Sequence, residues 1–280
     1  MSTTDSLSAA AEPIAFIGGG NMASAIIGGL LRDGLAPGLI DVVEPFADTR
    51  ARLASQYGVH VSEAAGPALQ RARLVVWAVK PQSFRDAAAP VRPHTAQALH
   101  LSVAAGIRSD SIARWLGTER IVRSMPNTPA LVGKGMTALY ARPAVTEAER
   151  SAIERVIATT GDSLWVDAEA QLDAVTALSG SGPAYVFYFL EAMTQAGTEM
   201  GLTAGQARRL AIGTFAGASE LARASSEPLA LLRERVTSKG GTTYAALTAM
   251  DAAGLQPAFV RAMHAAGARA TELGDEFGKD

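Results

Sequence analysis

The first stretch whose residue types and spacing could serve binding or catalysis is a glycine turn between an apolar run and an amphipathic pattern. The run Ile14–Ile17 leads into three consecutive glycines, after which apolar residues recur at helical spacing. Gly18 permits a sharp turn, Gly20 lets a pyrophosphate approach the backbone, and Ala23 allows close helix packing. A helix that starts here directs free N–H groups and partial positive charge at phosphates. This G-x-G-x-x-A spacing predicts dinucleotide binding, although an ordinary glycine-rich turn of an α/β protein remains the alternative.

An acidic residue follows where ribose recognition needs one. Residues 39–43 form an apolar run that ends at Glu44, about 20 positions beyond the glycines. A carboxylate there accepts hydrogen bonds from a ribose diol and repels a 2′-phosphate, so Glu44 favours NADH over NADPH. Arg50 and Arg52 on the next helix could neutralise Glu44, but helical spacing predicts that both face solvent.

Two further apolar runs supply neighbouring strands. Residues 74–79 are apolar throughout, as in a central parallel strand, and residues 99–103 form the next strand. Ligands of such sheets bind outside the carboxyl ends of the strands, which predicts one cofactor site. Its residues are Ile17, Gly18, Gly19, Gly20, Asn21, Met22, Glu44, Ala78, Val79, Lys80, Pro81 and Ala105.

The rest of the chain divides into two kinds of sequence. Strands and helices alternate up to about residue 168, with a capping box at Thr146 and Glu149, whereas only helical periodicity follows Glu169. A second capping box lies at Thr203 and Gln206. The predicted fold is α/β, an N-terminal Rossmann-like doubly wound sheet followed by an all-α C-terminal dimerisation domain. The predicted domains are a disordered tail (1–12), a dinucleotide-binding domain (13–168) and a helical substrate and dimerisation domain (169–280).

One predicted helix in the C-terminal part needs a partner. Residues 183–200 are apolar almost all round, which is typical of a helix buried on most sides. A domain of only about 110 residues supplies little material to cover such a helix. We therefore expect an interdigitated homodimer or a higher homo-oligomer; a monomer with a tight bundle is the alternative.

Composition excludes several classes of function. The 280 residues are 48% hydrophobic and 19% charged, with a net charge of −2 and no basic run, so no nucleic-acid partner is predicted. The absence of cysteine excludes disulfides and thiol catalysis. Residues 1–12 lack the basic and apolar regions of a secretory signal, and glycine and proline interrupt the apolar stretch 174–190. These features predict a cytoplasmic protein without a membrane partner.

A second glycine turn connects the sequence to a known family. Residues 236–243 read VTSKGGTT, which closely resembles the signature of pyrroline-5-carboxylate reductase. Four other segments agree in order and spacing: FIGGGNMA at 16–23, AVKP at 78–81, MPNTPA at 125–130 and SGSGPAYVF at 179–187. The sequence departs from the family at Lys239, where proline is usual. Proline would pre-set φ, so Lys239 could loosen the turn.

The resemblance implies NADPH- or NADH-dependent reduction of 1-pyrroline-5-carboxylate to L-proline, the last step of proline biosynthesis. It places the substrate carboxylate on the N–H groups of Gly240, Gly241 and Thr242, which open a helix. The Ser238 hydroxyl adds a donor, and the catalytic Thr243 directs its hydroxyl at the ring nitrogen. By the same resemblance Glu169 borders the ring. An ordinary threonine-capped helix start is the alternative for this turn.

Other candidate residues carry less chemistry. The four histidines, at positions 60, 94, 100 and 264, lack metal-ligand spacing, and no G-x-S-x-G nucleophile pattern occurs, so no metal site is predicted. Lys80 could donate a proton, but Pro81 fixes the chain there and favours a backbone role. Two other functions stay open: a related imine or β-hydroxyacid reductase, and a non-catalytic NAD(P)-binding sensor.

Overall fold

Short apolar runs become the strands of one sheet. The structure, a computed structural model, describes residues 12–278, so the tail predicted for residues 1–12 lies outside the described residues except for Glu12. Within them the strands are β1 (Ile14–Ile17), β2 (Ile40–Val43), β3 (His60–Ser62), β4 (Leu74–Trp77), β5 (Leu99–Ser102), β6 (Ile121–Met125), β7 (Gly135–Ala141) and β8 (Gly161–Trp165).

The strand order confirms the doubly wound sheet. The described strands are arranged β3-β2-β1-β4-β5-β6-β7-β8, with β1 between β2 and β4. All pairs are parallel except β6 and β7, where Arg123 lies opposite Tyr140 in an antiparallel register. The alternation of strands and helices in the sequence did not predict this reversal. The connection 126–134 is too short for the crossover of a dozen or more residues that a parallel pair needs.

The core lies on both faces of the sheet. On β1, Ile14 and Phe16 pack into one buried cluster, whereas Ala15 and Ile17 pack into the other. Side chains of a strand alternate between faces, so a fully apolar strand serves two cores. Trp77 and Phe84 stack in the second cluster with ring centroids 4.6 Å apart. Two-sided burial fixes the strand ends that carry the predicted cofactor residues.

Helices cover the sheet and begin and end at identifiable signals. They are α1 (Asn21–Arg32), α2 (Ala47–Tyr57), α3 (Phe84–Val91), α4 (Ser109–Leu116), α5 (Glu147–Ala158) and α6 (Gln171–Val175). Gly58 ends α2 in the left-handed conformation with φ +67°. Both capping-box bonds of Thr146 and Glu149 are present, as predicted. Helix α3 was not predicted, because Pro90 lies inside it and has no N–H for a helical hydrogen bond. Burial of Phe84 outweighs the loss of that hydrogen bond.

The C-terminal part is helical, as predicted. A π-helical turn, Thr176–Gly180, separates α6 from α7 (Gly182–Glu199), and the remaining helices are α8 (Ala204–Ala224), α9 (Leu229–Arg235), α10 (Thr242–Ala252) and α11 (Leu255–Phe277). The second capping box, Thr203 with Gln206, is present at the start of α8. None of the helices in residues 12–278 is long and apolar enough to cross a membrane.

The described residues form two compact units. One contains residues 12–181 and 266–278, and the other contains residues 182–265. Within the second unit α7 leaves large apolar side chains uncovered, since Phe187 is 59% exposed and Tyr188 is 70% exposed. The predicted division at residues 168 and 169 stays a prediction about domain organisation.

Candidate functional site

The first glycine of the turn is required by close backbone packing. Gly18 follows β1 with φ +95°, a conformation that L side chains rarely adopt. Its N–H donates to the Val43 carbonyl at 2.8 Å, and the Ala78 N–H donates to the Ile17 carbonyl at 2.8 Å. A Cβ on Gly18 would lie 2.6 Å from the Ala78 carbonyl oxygen. Only glycine therefore fits where β1, β2 and β4 end.

The next two glycines have different surroundings. A Cβ on Gly19 would lie 2.5 Å from Cδ1 of Leu53, so packing against α2 excludes a side chain. A Cβ on Gly20 would have no neighbour within 4 Å, and the backbone is open at that position. Openness at Gly20 is what a pyrophosphate that approaches the backbone requires.

Helix α1 presents its N-terminus beside this opening. It begins at Asn21, its N-cap residue Gly20 offers no side-chain cap, and its first turn holds no acidic residue. The first N–H groups of a helix have no intrahelical partners, and the helix dipole adds positive charge there. The cradle thus fits the pyrophosphate of a dinucleotide, with donors from the backbone of the turn and α1.

Glu44 lies at the end of β2, as predicted, but with contacts that the sequence did not indicate. The residue is only 6% exposed. Its Oε2 accepts a hydrogen bond from the Gly19 N–H at 2.8 Å, and its Oε1 accepts one from the Phe46 N–H at 2.9 Å. Each carboxylate oxygen has a second lone pair, so ribose binding by Glu44 stays a prediction.

The prediction that Arg50 faces solvent is wrong, because its side chain is only 20% exposed, whereas Arg52 is exposed, as predicted. Arg50 Nη1 donates to the carbonyls of Glu44 and Pro45 at 2.9 and 2.7 Å. Arg52 Nη2 donates to the Gly19 carbonyl at 3.0 Å. Helical spacing locates the Cα atom, but a long guanidinium side chain can reach back over the preceding turn to unpaired carbonyls. Both cations therefore border the glycine turn.

The remaining predicted cofactor residues follow two adjacent parallel strands. In the registered sheet Ile17 pairs with Trp77, and Trp77 pairs with Ser102. The residues just beyond these three, which include Ala78 to Pro81 and Ala105, consequently lie along one sheet edge. Lys80 is exposed, and within the described residues its ammonium forms no hydrogen bond or ion pair.

Glu169 belongs to a partly buried polar cluster in the first unit. It accepts hydrogen bonds from the Ser109 N–H at 2.6 Å and from Arg123 Nη1 at 2.5 Å. Burial lowers the pKa of Arg123, and the nearby carboxylate of Glu169 opposes that shift. No signal in the sequence indicated Ser109 or Arg123, which lie 60 and 46 residues from Glu169. Contact of Glu169 with a substrate stays a prediction.

Two of the quoted motifs meet in the first unit. Asn127 Nδ2 donates to Ser179 Oγ at 3.1 Å, and Asn127 Oδ1 accepts from the Met136 N–H at 2.9 Å. A Cβ on Gly180 would lie 2.3 Å from Cε of Met125. Gly180 thus packs against the end of the Met125 side chain, at a π-helical turn of the kind common near functional sites.

In the second unit the other glycine turn opens helix α10. Gly240 has φ +75°, and the Gly241 N–H donates to the Ser238 carbonyl at 2.9 Å. The helix begins at Thr242 without a side-chain cap, which leaves N–H groups available for an anion. The hydroxyls of Ser238, Thr242 and Thr243 have no hydrogen-bond partner within residues 12–278.

Comparison with known proteins decides the family. The pyrroline-5-carboxylate reductase of Pseudomonas aeruginosa is 42% identical to this chain, over 95% of this chain and 98% of that enzyme. The chain belongs to the pyrroline-5-carboxylate reductase family. The corresponding enzyme of Haemophilus influenzae is 40% identical over 93% of this chain and 97% of its own.

Solved structures of the pyrroline-5-carboxylate reductase family have the same fold. One from Coxiella burnetii is 36% identical, with a TM-score of 0.88 over 94% of this chain and 99% of that chain. One from Plasmodium falciparum, determined with NADP bound, is 25% identical, with a TM-score of 0.84 over 94% and 98% of the two chains. The Rossmann-like and helical parts predicted from the sequence are confirmed.

Two family models match separate parts of this chain. Residues 169–273 match the model described as pyrroline-5-carboxylate reductase dimerisation. Residues 13–106 match the model described as NADP oxidoreductase, coenzyme F420-dependent, and contain every residue of the predicted cofactor site. The individual roles of those residues stay predictions.

The buried histidine His100 lies in the core and forms a hydrogen bond there. His100 is 1% exposed, and its Nδ1 accepts a hydrogen bond from Trp77 Nε1 at 3.0 Å. Burial lowers the pKa of His100 to about 4. Within residues 12–278, no group of three or more His, Asp or Glu side chains is arranged to hold a metal ion.

Proposed function

We propose that this chain catalyses the NAD(P)H-dependent reduction of 1-pyrroline-5-carboxylate to L-proline, the last step of proline biosynthesis. The observation that carries the proposal is 42% identity, over nearly the full length of both chains, to a pyrroline-5-carboxylate reductase. Both glycine turns are present, and each leads into a helix that begins without a side-chain cap. A sensor that only binds a nucleotide would not need the second turn.

The first unit is proposed to bind the cofactor. The N–H groups at the start of α1 bind the pyrophosphate, Gly20 lets it approach, and Glu44 holds the glycine turn in place through the Gly19 N–H. The residues from Ala78 to Pro81 and Ala105 line the nicotinamide side. When bound, the reduced nicotinamide supplies the hydride that the imine carbon accepts.

The turn in the second unit is proposed to bind the substrate. The N–H groups of Gly240 and Thr242 bind the carboxylate, with the Ser238 hydroxyl as a further donor, whereas the Gly241 N–H already donates to the Ser238 carbonyl. Thr243 donates a hydrogen bond to the ring nitrogen, which gains a proton as the C=N bond becomes a secondary amine. Fixing both ends of a small ring orients its electrophilic carbon, which is a large part of catalysis in such reactions.

The proposal is tested by steady-state kinetics with the purified full chain. Oxidation of NADPH and NADH is followed by absorbance, with 1-pyrroline-5-carboxylate, with acyclic oxo acids, and without substrate. We expect turnover with the cyclic imine and formation of L-proline. Turnover with acyclic oxo acids alone would identify a β-hydroxyacid reductase instead. Cofactor binding without oxidation by any substrate would identify a sensor.

We also propose that the protein assembles at least as a homodimer and acts in the cytoplasm. The match to a dimerisation family model and the exposed aromatic side chains of α7 support assembly. The cytoplasmic assignment rests on the absence of cysteine, which fits a reducing compartment, and fractionation of cells that express the chain tests it.

A further inference from the structure

A cavity lies at the end of the sheet opposite the glycine turn. Its volume is about 600 Å³, within the range that accepts small organic ligands. Ile14, Leu74 and Leu99, the first residues of β1, β4 and β5, line it. These strands are parallel, so their amino ends share one edge and the predicted cofactor residues follow their other ends. The cavity is therefore separate from the cofactor site.

The inner wall of this cavity is apolar. Three further apolar residues line the cavity beside the three strand residues: Leu30 of α1, Val156 of α5, and Leu35 in the loop after α1. All six side chains are buried in the core. A cavity bounded in this way favours the hydrocarbon part of a ligand, because removing CH₂ groups from water is favourable.

The rim of the cavity is charged, and two of its groups neutralise each other. The charged residues that line it are Glu12, Arg73, Arg120, Glu149 and Arg155. Arg120 donates from Nε to Glu149 at 2.7 Å and from Nη1 to the Gln97 carbonyl at 2.7 Å. The other oxygen of Glu149 accepts from the Thr146 N–H at 2.8 Å. Arg120 and Glu149 therefore have little capacity left for a ligand.

The other two arginines remain available. Within the described residues neither Arg73 nor Arg155 makes a side-chain hydrogen bond or ion pair, and Glu12 is the only lining carboxylate left to balance them. The backbone of Arg73 is fixed on both sides: its N–H donates to the Pro13 carbonyl and its carbonyl accepts from the Leu99 N–H, each at 2.9 Å. Arg155 shares a face of α5 with Ala152. Two cations on rigid elements thus flank an apolar cavity.

We propose that this cavity binds a small amphipathic anion, namely a carboxylate with an aliphatic or aromatic body. Arg73 and Arg155 bind the carboxylate, for which guanidinium groups have matching geometry, and the leucine-rich wall binds the body. Net positive charge at the rim selects an anion over a neutral or cationic molecule of the same length.

Titration calorimetry on the full chain tests the proposal with three probes of equal length. Octanoate is the anion, 1-octanol the neutral analogue and octylammonium the cation. We expect octanoate to bind with one site per chain, octanol to bind about tenfold or more weakly, and octylammonium not to bind, because one charge-assisted hydrogen bond is worth about that factor. Equal binding of octanoate and octanol, or no binding of octanoate, would overturn the proposal.

Variants locate the binding site. The double variant Arg73→Met/Arg155→Met should weaken octanoate binding about tenfold or more, whereas Arg92→Met, a change at an exposed arginine outside the cavity, should leave it unchanged. Ala152→Phe fills the cavity without changing its charge and should abolish binding. Thermal unfolding confirms that each variant is folded. If Ala152→Phe does not fold, octanoate binding by the double variant Arg73→Met/Arg155→Met alone tests the location of the site.

Deletion of residues 1–11 completes the test, since these residues precede Glu12 at the rim. We expect the shortened chain to bind octanoate as the full chain does. Binding that occurs only after the deletion would identify the chain itself as the occupant and overturn the proposal of a separate ligand.

Discussion

The Gly19 N–H donates a 2.8 Å hydrogen bond to the carboxylate of Glu44, 25 residues further along the chain. The same carboxylate accepts from the Phe46 N–H, and Arg50 donates to the Glu44 carbonyl. Glu44 thus forms part of the wall of the glycine turn and also stands at the predicted ribose position. Its replacement should change both the turn and the choice of cofactor, and the two effects can be separated by experiment.

The first prediction concerns cofactor choice. Glu44→Ser should shift the ratio of kcat/KM towards NADPH about five- to a hundredfold, because repulsion of a 2′-phosphate at an effective dielectric near 20 costs about 1–3 kcal/mol. The wild-type chain should use both cofactors. Steady-state kinetics with NADPH and NADH measures the ratio.

Two further variants control this experiment. Glu44→Gln keeps one acceptor for the turn but removes the charge, so it should shift the ratio as Glu44→Ser does with less loss of stability. Asp48→Ser removes an exposed charge nearby on α2 and should leave the ratio unchanged. An unchanged ratio in both Glu44 variants would mean that Glu44 does not contact the ribose.

The second prediction concerns the proposed catalytic hydroxyl. Thr243→Ala should lower kcat about tenfold with little change in cofactor affinity, since one neutral hydrogen bond is worth about 0.5–1.5 kcal/mol. Thr243→Ser should restore much of the rate. Thr248→Ala is the matched control, because the Thr248 hydroxyl donates to the Tyr244 carbonyl within its own helix. Normal turnover in Thr243→Ala would remove Thr243 from the mechanism.

The third prediction concerns assembly. Light scattering at micromolar concentration should give at least a dimeric mass, and Tyr188→Asp on α7 should reduce it, because Tyr188 is 70% exposed within its own unit. Val132→Asp, at an equally exposed apolar residue of the first unit, should leave the mass unchanged. A monomeric wild-type chain with full activity would contradict the prediction.

The fourth prediction concerns the pH dependence of stability. Burial lowers the pKa of His100 to about 4, below the value near 6.5 of an unfolded histidine, so the unfolded chain binds more protons between these values. Stability from neutral His100 should be complete above about pH 6.5 and fall as the pH drops towards 4, by about 3 kcal/mol in all.

Denaturant unfolding across this pH range provides the measurement. His100→Gln keeps an acceptor for the Trp77 N–H and should flatten the curve, whereas His60→Gln, at a largely exposed side chain, should not. If the free energy of unfolding depends on pH equally in wild type and His100→Gln, His100 is not the source of this pH dependence.

Local signals in the sequence predicted most of the fold. The glycine turn and both capping boxes depend on residues close together in the chain, and all occur as predicted. Helix α3 was not predicted, because the effect of Pro90 on a helix can be read locally from the sequence, whereas the burial of Phe84 that stabilises α3 depends on distant strands.

The site was predicted less completely than the fold. The position of Glu44 follows from the end of a strand, but its bond to Gly19 requires the two strand ends to be side by side. Likewise the pairing of Arg123 with Glu169 joins residues 46 positions apart. Periodicity does not encode where a long side chain reaches, which is why Arg50 was predicted incorrectly and the bond from the exposed Arg52 to the Gly19 carbonyl was not predicted.

The central place of β1 in the sheet has a consequence for biosynthesis. Its partners are β2 and β4, and the bond from Ala78 to Ile17 closes the glycine turn only after residue 78 exists. Long-range parallel pairing forms slowly, and a ribosome adds about 5–20 residues per second. The nascent chain therefore carries its predicted phosphate-binding sequence for several seconds before the glycine turn can close, with the apolar strand β1 open to chaperones.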